Sequence, residues 1–517
     1  MSDRDSRTGA GDDAPDGYGS FSDIDRIASP GSRLRILHEG DPRPDTVEVT
    51  SEFTRALEMV LARTPFTFVT GRAGTGKTTF IRWLKSRYEG NVVVVAPTGL
   101  AALTAGGQTI HSFFGFPPTA ITQGSIHKRR DRAVYEHLDL LVIDEVSMVR
   151  ADLMDGIARF MELNGPRPGQ PFGGVPVLAV GDLLQLPPVV GEQEVREFLD
   201  VNFRSPYFYS ATALEDIKPV AIELTRVFRQ EDEDFLEILS QIREGPGCDD
   251  AIDRLNRMCL APDFDDEDWT TLVPRRDRAH AINERRLTGL GTPIQEFVGT
   301  ISGRFLSGKK PENLSEDQLE KQLPSPYRLR VAVGARVMFT RNHPAGRWVN
   351  GTSGIVRDIC EEGIRVEVRD GDSVITHAVK PTEWDRYRYK YDRKENSLEP
   401  KAIGSYIQFP LALAWAMTIH KAQGQTLERA IVDLGRSTFV TGQAYVALSR
   451  CRSADDLRLR RAIRPGDVKS DDRIRRADAA IRAAAARRRC EDEAPERAPM
   501  LKVTLPSERS RRDKRPA

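Results

Sequence analysis

At 517 residues, the chain is too long for one ordinary globular core, so we expect two or three domains with tails. Its 76 basic and 76 acidic side chains balance, so the net charge neither indicates nor excludes a nucleic-acid partner. The five scattered cysteines lack metal-ligand spacing, and no apolar run approaches the roughly 18 residues that span a bilayer, which predicts a cytoplasmic protein without a zinc site, a disulfide framework or a membrane partner.

The chain begins with a predicted tail and continues into an α/β domain. Residues 1–45 are rich in glycine, aspartate, serine and proline and poor in aromatics, so they bury too little surface to offset the entropy of ordering, and we predict disorder. Residues 46–215, with a short insertion at 115–138, alternate apolar runs with helical stretches, which is typical of a parallel sheet wrapped by helices. The predicted strands are Phe66–Thr70, Val92–Ala96, Leu140–Asp144 and Val177–Gly181.

A second α/β domain is predicted in two pieces, 216–295 and 400–465. The stretch between them, 296–399, differs in kind, because short alternating strands there are separated by Asn-Gly and Asp-Gly turns. This pattern predicts a small β-barrel inserted into the second domain. The strands predicted for the second domain itself are Thr271–Val273 and Ala430–Leu434.

The last segment, 466–517, carries an excess of basic side chains and contains strong helix formers before a proline-rich charged stretch. We predict a basic tail that is helical or disordered. Its charge suits contact with phosphate, and a merely solvated tail is about equally consistent with the composition. The tails are also the segments through which other replication or repair proteins could bind.

An unbroken GxxxxGK[ST] motif follows the first predicted strand and precedes a helical stretch, which is the setting that a phosphate-binding loop requires. Its glycines let backbone N–H groups wrap around phosphates. Lys77 would neutralise the β and γ phosphates, and the Thr78 hydroxyl would hold Mg²⁺. The predicted nucleotide site comprises Gly71, Ala73, Gly74, Thr75, Gly76, Lys77, Thr78 and Thr79.

Two further polar positions follow predicted strands of the same sheet. Asp144 and Glu145 end the third predicted strand, at the edge where ligands of parallel sheets bind. Asp144 would hold Mg²⁺ through water, and Glu145 would orient and deprotonate the attacking water. Alone, such a pair is more often a helix cap or a turn, but the phosphate loop reverses those odds. Gln185, just past the fourth strand, can sense a γ phosphate through its amide.

The phosphate loop, the Asp144-Glu145 pair and the Gln185 segment, in this order along the chain, resemble the motifs of the superfamily 1B helicases, of the petite-integration-frequency (PIF) type with its RecD-like relatives. The resemblance covers about residues 48–455. The segments that carry it are APTGLAALTAGGQTIHSFFG (96–115), VIDEVSMV (142–149), the stretch 150–174 ending in PFGG, VGDLLQLPP (180–188), LTRVFRQ (224–230), AWAMTIHKAQGQTL (414–427) and QAYVALSRCRS (443–453).

The resemblance implies roles that no single residue would reveal. Arg229 and Arg450 would reach from the second domain to the γ phosphate as arginine fingers, so that hydrolysis depends on closure of the cleft. Gly424 and Gln425 would join the nucleotide site. The positions that would contact single-stranded DNA, by binding phosphate and stacking bases without reading sequence, are Pro97, Thr98, His111, Thr418, His420 and Lys421.

The fold implied by the resemblance is two RecA-like P-loop domains with parallel sheets and a small Src-homology-like β-barrel in the second. The implied activity is ATP- and Mg²⁺-dependent translocation on single-stranded DNA, 5′ to 3′, with unwinding of tailed duplex DNA by a monomer. An RNA helicase or a translocase that does not unwind is the alternative among enzymes. A scaffold that binds nucleotide without hydrolysis is the alternative of another class, and the intact catalytic positions argue against it.

The chain departs from the family pattern at two places. Relatives often carry a glutamine before the phosphate loop that reads adenine, whereas Phe53 and Thr54 stand in that neighbourhood, which leaves adenine preference open. The segment between His111 and Asp139, which should hold the strand-separating pin, is short and basic, and no wedge residue can be named in it.

Overall fold

The computed structural model describes residues 47–493, apart from 118, 191–192, 231, 266–267, 307–310, 321 and 371–372. The disorder predicted for 1–45, and the part of the predicted basic tail beyond residue 493, therefore lie outside the described residues. Within the described ranges, no helix is both long enough and apolar enough to cross a membrane.

The first α/β domain is built on six parallel strands. The strands are β1 (Phe66–Gly71), β2 (Val92–Ala96), β3 (Gln108–Thr109), β4 (Leu140–Ile143), β5 (Val177–Gly181) and β6 (Val220–Leu224). Their spatial order is β3-β2-β4-β5-β1-β6, and every neighbouring pair is parallel. The helices are α1 (Ser51–Leu61), α2 (Lys77–Arg87), α3 (Gly99–Thr104), α4 (Ile110–Phe114), α5 (Ala133–Glu136), α6 (Ala151–Asn164) and α7 (Gln193–Asn202).

Both faces of this sheet are buried, because alternate residues of each strand enter different cores. In β1, Phe66 and Phe68 point into one hydrophobic core, while Val69 points into the other. Strands covered on both faces are near-continuous apolar runs, which is why the four predicted strands of this domain are confirmed.

One predicted boundary is wrong. We expected the second domain to start at residue 216, but β6 pairs with β1 in parallel, with Phe68 opposite Ala221. The apolar run that forms β6 fits either sheet by composition, and only its pairing with β1 assigns it to the first. The first domain therefore extends through Leu224.

The chain then forms α8 (Glu233–Glu244), α9 (Asp249–Cys259), β7 (Thr270–Val273) and α10 (Arg276–Gly289). An antiparallel insertion follows, with β8 (Gln295–Val298), β9 (Thr300–Gly303), α11 (Glu316–Glu320), β10 (Arg328–Val331), β11 (Arg336–Phe339), β12 (Ser353–Cys360), β13 (Gly363–Asp370), β14 (Ser373–Val379), β15 (Thr382–Asp392), β16 (Ser397–Gln408) and β17 (Leu411–Leu413). The main sheet of the insertion has the order β14-β13-β12-β11-β17, in the region where the sequence predicted a small β-barrel. The predicted end at residue 399 is wrong, because β17 pairs with β11 and keeps the chain in the insertion until Leu413.

A long hairpin of the insertion, β15–β16, contacts the first domain. The Arg386 Nη2 donates to the Ser112 Oγ at 3.0 Å, and the Leu398 N–H donates to the Asn91 Oδ1 at 2.9 Å. The Tyr391 ring stacks on His137 with 3.6 Å between ring centroids. The insertion is therefore attached to both α/β domains, to the second through the chain and to the first through side chains.

The chain returns to the second domain in β18 (Ala416–Thr418), α12 (Ile419–Ala422), β19 (Ala430–Val432), α13 (Gln443–Leu448), β20 (Leu457–Leu459) and α14 (Asp472–Glu493). Its sheet has the order β18-β7-β19-β20, with all neighbours parallel. Both strands predicted for this domain are confirmed within a few residues.

The helix α14 lies in the segment that we predicted to be a basic tail, helical or disordered, and it packs on the first domain. Ile474 is fully buried in a core of the first domain, and the half-buried Ala477 and Ile481 pack against the same core. The Tyr207 hydroxyl donates to the Asp471 carboxylate at 3.1 Å beside the start of the helix. The sparse apolar side chains among the many arginines of this helix form its docking face.

We expect Ile474→Ala to lower the free energy of unfolding by about 2–5 kcal/mol, because it empties a fully buried site. Denaturant unfolding followed by circular dichroism measures the loss. Val201→Ala is the matched control, since its side chain is 83% exposed and its removal should change stability by less than about 0.5 kcal/mol. Equal effects of the two substitutions would show that α14 does not dock.

Candidate nucleotide cleft and DNA track

The phosphate loop joins β1 to α2. The predicted nucleotide residues from Gly71 to Thr79 lie in this loop, at the end of β1 and in the first turn of α2. Gly74 and Gly76 have φ of 84° and 80°, a left-handed conformation that glycine adopts without strain. The Lys77 ammonium donates to the carbonyls of Gly71 at 2.9 Å and Arg72 at 3.0 Å, so it folds over its own loop. Burial lowers the pKa of Lys77, and the carboxylates of neighbouring strands partly offset that shift.

Asp144 and Glu145 lie at the carboxyl end of β4. The Glu145 N–H donates to the Asp144 Oδ1 at 2.8 Å, and Glu145 itself has φ of 50°, a left-handed conformation that is strained for a residue with a side chain. Burial, followed by the charge of Glu145, raises the pKa of Asp144 to about 7. Burial also raises the pKa of Glu145, which is the direction that suits a group accepting a proton near neutral pH.

The oxygen donors in this cleft fit Mg²⁺. The Thr78 hydroxyl lies in the first turn of α2, which follows β1. The Asp144 carboxylate lies at the end of β4, which is separated from β1 by β5 in the same sheet. Mg²⁺ binds hard oxygen ligands and is usually held by one or two carboxylates together with phosphates of the substrate. The donor set therefore matches the predicted metal.

The second domain closes onto the phosphate loop. The Ala73 N–H donates to the Tyr445 hydroxyl at 3.0 Å, and the Phe228 N–H donates to the Gly74 carbonyl at 2.9 Å. A Cβ on Gly74 would lie 2.6 Å from the Cβ of Arg229, so only glycine permits this approach. The Gln423 amide donates to the Glu145 carboxylate at 3.1 Å across the same cleft.

The two predicted arginine fingers occupy different environments. Arg229 is half-buried beside the phosphate loop and donates to the Ser449 carbonyl at 3.2 Å. Arg450 is 1% exposed and donates to the carbonyls of Val446 at 2.7 Å and Gln425 at 3.2 Å. Burial, together with the charge of Arg229, lowers the pKa of Arg450 to about 9.

Arg450 is therefore held inside its own domain by backbone carbonyls. The predicted nucleotide contacts Gly424 and Gln425 lie in the loop that supplies one of these carbonyls, with Gly424 exposed at its tip. To meet a γ phosphate, the Arg450 guanidinium has to exchange carbonyl partners for phosphate oxygens. Its role as a finger stays a prediction.

Gln185 lies just beyond β5 and is almost fully buried. Its Nε2 donates to the Asp182 Oδ2 at 3.1 Å, and the Leu184 N–H donates to the other oxygen of that carboxylate at 3.1 Å. Gly442 of the second domain, with φ of 74°, packs so closely that a Cβ on it would lie 2.4 Å from the Gln185 carbonyl oxygen. The loop around Gln185 is thus contacted by residues of both domains.

Sequence reasoning missed four residues of the cleft. Asp182 and Tyr445 lie inside segments that matched the family pattern, so their neighbourhood was a usable signal. Gln423 also lies in such a segment. Arg243 of α8 donates to the Asp182 carboxylate at 2.7 Å. It carried no signal, because an arginine in a charged amphipathic helix is ordinarily a surface residue.

The predicted DNA contacts lie at the carboxyl ends of strands in both sheets. Thr98 caps α3 just after β2, and Thr418 caps α12 at the end of β18; each hydroxyl accepts a backbone N–H at 3.2 Å. Pro97 precedes the first cap, and Lys421 follows the second. These bonds are ordinary helix caps, and a capping hydroxyl retains a donor that can still reach phosphate.

Burial favours the neutral form of the two histidines of the predicted track. Burial lowers the pKa of His111, and the charge of Arg150 lowers it further. Burial and Arg276 do the same for the pKa of His420. Neutral imidazoles fit hydrogen bonding and stacking rather than charge pairing with phosphate. Their contact with DNA stays a prediction.

The position before the phosphate loop has no adenine-reading amide. Phe53 is 2% exposed, and its ring lies 5.0 Å from that of Phe80 and 5.7 Å from that of Trp83. It is therefore part of the hydrophobic core under α2. Phe113 and Phe114 are likewise buried, so they are not platforms for bases.

Most of the chain matches known proteins. The sequence profile of the PIF1-like helicases matches residues 47–251. The human ATP-dependent DNA helicase PIF1 is 34% identical over 431 residues, which cover 80% of this chain and 61% of the human protein. The ATP-dependent DNA helicase Pif1 of Bdellovibrio bacteriovorus is 32% identical over 422 residues, which cover 80% of this chain and 88% of that protein. The chain belongs to the PIF1-like helicase family.

Solved structures of Pif1 from Bacteroides sp extend the match to the fold. The complex with ADP-AlF4 has a TM-score of 0.74 at 32% identity, and the match covers 84% of this chain and 98% of that one. The same protein bound to single-stranded DNA matches with a TM-score of 0.60 over the same share of both chains. The predicted family and the predicted mixed α/β fold with parallel sheets are confirmed. Relative to human PIF1, the chain spans about three fifths of the length.

We expect Gly74→Ala to destabilise the nucleotide-free protein more than Gly169→Ala. Both glycines have φ near 83°, so an alanine costs about 1–2 kcal/mol of backbone strain at either site. Only at Gly74 does the new Cβ collide with Arg229, which adds about 1–3 kcal/mol, because nothing lies within 4 Å of a Cβ on Gly169. Denaturant unfolding without nucleotide measures the difference. Equal losses would mean that the domains do not meet at this loop in solution.

Proposed function

We propose that this chain is an ATP-dependent DNA helicase that moves along single-stranded DNA and separates the strands of a duplex. The observation that carries the proposal is the cleft itself, where a complete phosphate loop and a carboxylate pair of one domain meet polar side chains of another. The names of the human and Bdellovibrio relatives, and the single-stranded DNA bound to the Bacteroides protein, support it.

ATP would bind with its phosphates on the amides of the Gly71–Thr79 loop and at the start of α2. Thr78 and Asp144 would hold Mg²⁺, which, when bound, neutralises charge on the β and γ oxygens. Lys77 would leave its own loop carbonyls for the phosphates. Glu145, raised in pKa by burial and held by the Gln423 amide, would orient the attacking water and take its proton.

Hydrolysis would depend on the second domain, because Arg229 stands against the phosphate loop and Arg450 lies on the same side of the cleft. A guanidinium stabilises the charge that spreads over the transferring phosphoryl oxygens. When the γ phosphate leaves, these attractions are lost and the cleft can open. Cleft opening would thereby be linked to the nucleotide state.

Movement along DNA would follow from the position of the predicted track. His111 and Thr98 are on the first domain and Thr418 and His420 on the second, at the same carboxyl edges that bear the nucleotide site. Opening and closing of the cleft therefore changes the separation between two grips on one strand. We propose 5′ to 3′ travel by a monomer, on the strength of the superfamily 1B motifs.

We expect the protein to unwind a duplex with a 5′ single-stranded tail and to leave a 3′-tailed or blunt duplex intact, in the presence of ATP and Mg²⁺. A strand-displacement assay measures this, with Lys77→Ala as the inactive control. DNA-stimulated hydrolysis without displacement would support the non-unwinding translocase instead. Preference for an RNA tail would support the RNA helicase, and unwinding of the 3′-tailed duplex would refute the proposed polarity.

We expect Glu145→Gln to lower kcat for DNA-stimulated ATP hydrolysis by at least about 100-fold, because glutamine cannot take the proton of the attacking water. Nucleotide affinity should stay within about threefold, since the phosphate loop is untouched. A coupled ATPase assay and titration with a fluorescent ADP measure the two quantities. Glu194→Gln, at an exposed glutamate of α7, is the matched control. Full activity of Glu145→Gln would remove Glu145 from the mechanism and favour a nucleotide-binding scaffold.

A further inference from the structure

One buried arginine joins three parts of the molecule around the cleft. Arg243, near the end of α8 in the second domain, is 5% exposed. Its Nη2 lies 2.7 Å from the Oδ1 of Asp182 in the first domain, and its Nε lies 3.3 Å from the other oxygen of that carboxylate. The same Nη2 lies 3.5 Å from the Oδ1 of Asp478 in α14. Neither carboxylate is more than 1% exposed.

The Asp182 end of this cluster fixes the orientation of Gln185. An ionised carboxylate only accepts hydrogen bonds, so the Gln185 amide must turn its NH2 group toward Asp182. The Gln185 Nε2 accordingly lies 3.1 Å from the Asp182 Oδ2. Its carbonyl oxygen then points away from Asp182, available to an attacking water or another donor. The orientation of the residue proposed to sense the γ phosphate thus depends on a carboxylate, and the position of that carboxylate depends on Arg243.

The cluster is charge-balanced only as a whole. Burial acts to raise the pKa of Asp182, but Arg243 and Lys77 more than offset it, so the pKa is lowered and Asp182 is ionised. Burial raises the pKa of Asp478, and the charges of Arg243 and Arg482 oppose that rise. With both carboxylates ionised, Arg243 balances one of them and Arg482, 2.7 Å from Asp478, balances the other. A buried charge that loses its partner is costly, so each member holds the others in place.

The members of the cluster come from three different parts of the chain. Asp182 belongs to the first domain and Arg243 to the second. Asp478 lies on α14, which follows the second domain in the chain and inserts Ile474 into a core of the first. The helix therefore spans the two domains at the point where their buried charges meet.

We propose that Arg243 and Asp478 are positioning residues for ATP hydrolysis, which hold the Gln185 amide in its working orientation through Asp182 and so make the C-terminal helix α14 a determinant of kcat. The proposal rests on the proposed function, because it concerns the rate of the same hydrolysis. It assigns no contact with nucleotide or DNA to either residue.

The first test is Asp478→Asn in the full chain, assayed for DNA-stimulated ATP hydrolysis. We expect kcat to fall about three- to tenfold, with KM for ATP within about twofold, because the substitution loosens Arg243 without touching the nucleotide loop. Asp472→Asn is the matched control: it lies on the same helix, 72% exposed and paired only with Arg475 among the described ion pairs, and should leave kcat unchanged. An unchanged kcat in Asp478→Asn would overturn the proposal.

The second test separates positioning from general stabilisation. If Asp478 acts through Gln185, then Asp478→Asn should lower kcat no further when Gln185 is already alanine. A drop of equal factor in both backgrounds would overturn the proposal. Arg243→Lys, which keeps the charge but loses the two-pronged bond to Asp182, should reproduce the loss of kcat with a melting temperature close to that of the unsubstituted chain.

The unsubstituted protein and Lys77→Ala are assayed in parallel. Activity in the former and none in the latter supports the proposed function, and the α14 variants then decide on the positioning role alone. Absence of hydrolysis in the unsubstituted protein would overturn the proposed function, and the positioning role with it.

Discussion

The structure depends on how the buried polar groups of the phosphate loop find hydrogen-bond partners. The loop is built to present N–H donors and an ammonium group to anions, and such groups are costly when buried without partners. Here the Tyr445 hydroxyl accepts the Ala73 N–H, and Lys77 donates to carbonyls of its own loop. The second domain therefore supplies a hydrogen-bond partner to the loop, so the conformation of the loop and the position of that domain are linked.

The same constraint explains the electrostatics of the cleft. Burial disfavours the charged forms of four side chains in the cleft. It raises the pKa of Asp144 and Glu145 and lowers the pKa of Lys77 and Arg450. Each shift is opposed or deepened by a named neighbour rather than by bulk solvent. Nucleotide and metal would enter a site whose charged groups already act on one another.

What could be predicted from the sequence was set by local information. The strands of the first domain are apolar runs, the phosphate loop is a contiguous motif, and Asp144 and Glu145 follow a strand directly, so each was identifiable from a few neighbouring residues. The wrong predictions concern which strand or core an element packs against. Strand β6 could have joined either sheet, the end of the insertion was decided by the pairing of β17 with β11, and α14 carried too sparse an apolar stripe to reveal its docking face. Arg243 is the extreme case, since its importance lies wholly in two carboxylates that are remote in sequence.

The hairpin β15–β16 gives the molecule a mechanical property that neither α/β domain has alone. The path from the first domain to the second, through the insertion and back to Ser112, Asn91 and His137, forms a closed linkage. In such a linkage, one joint cannot rotate while the others stay fixed. Rotation of the second domain has to slide or release the hairpin, or bend it, and β15 contains a register shift between Arg386 and Tyr387 where a strand bends most readily. A hinge between the two α/β domains would therefore be constrained by the hairpin, and its range would depend on how far this strand can bend.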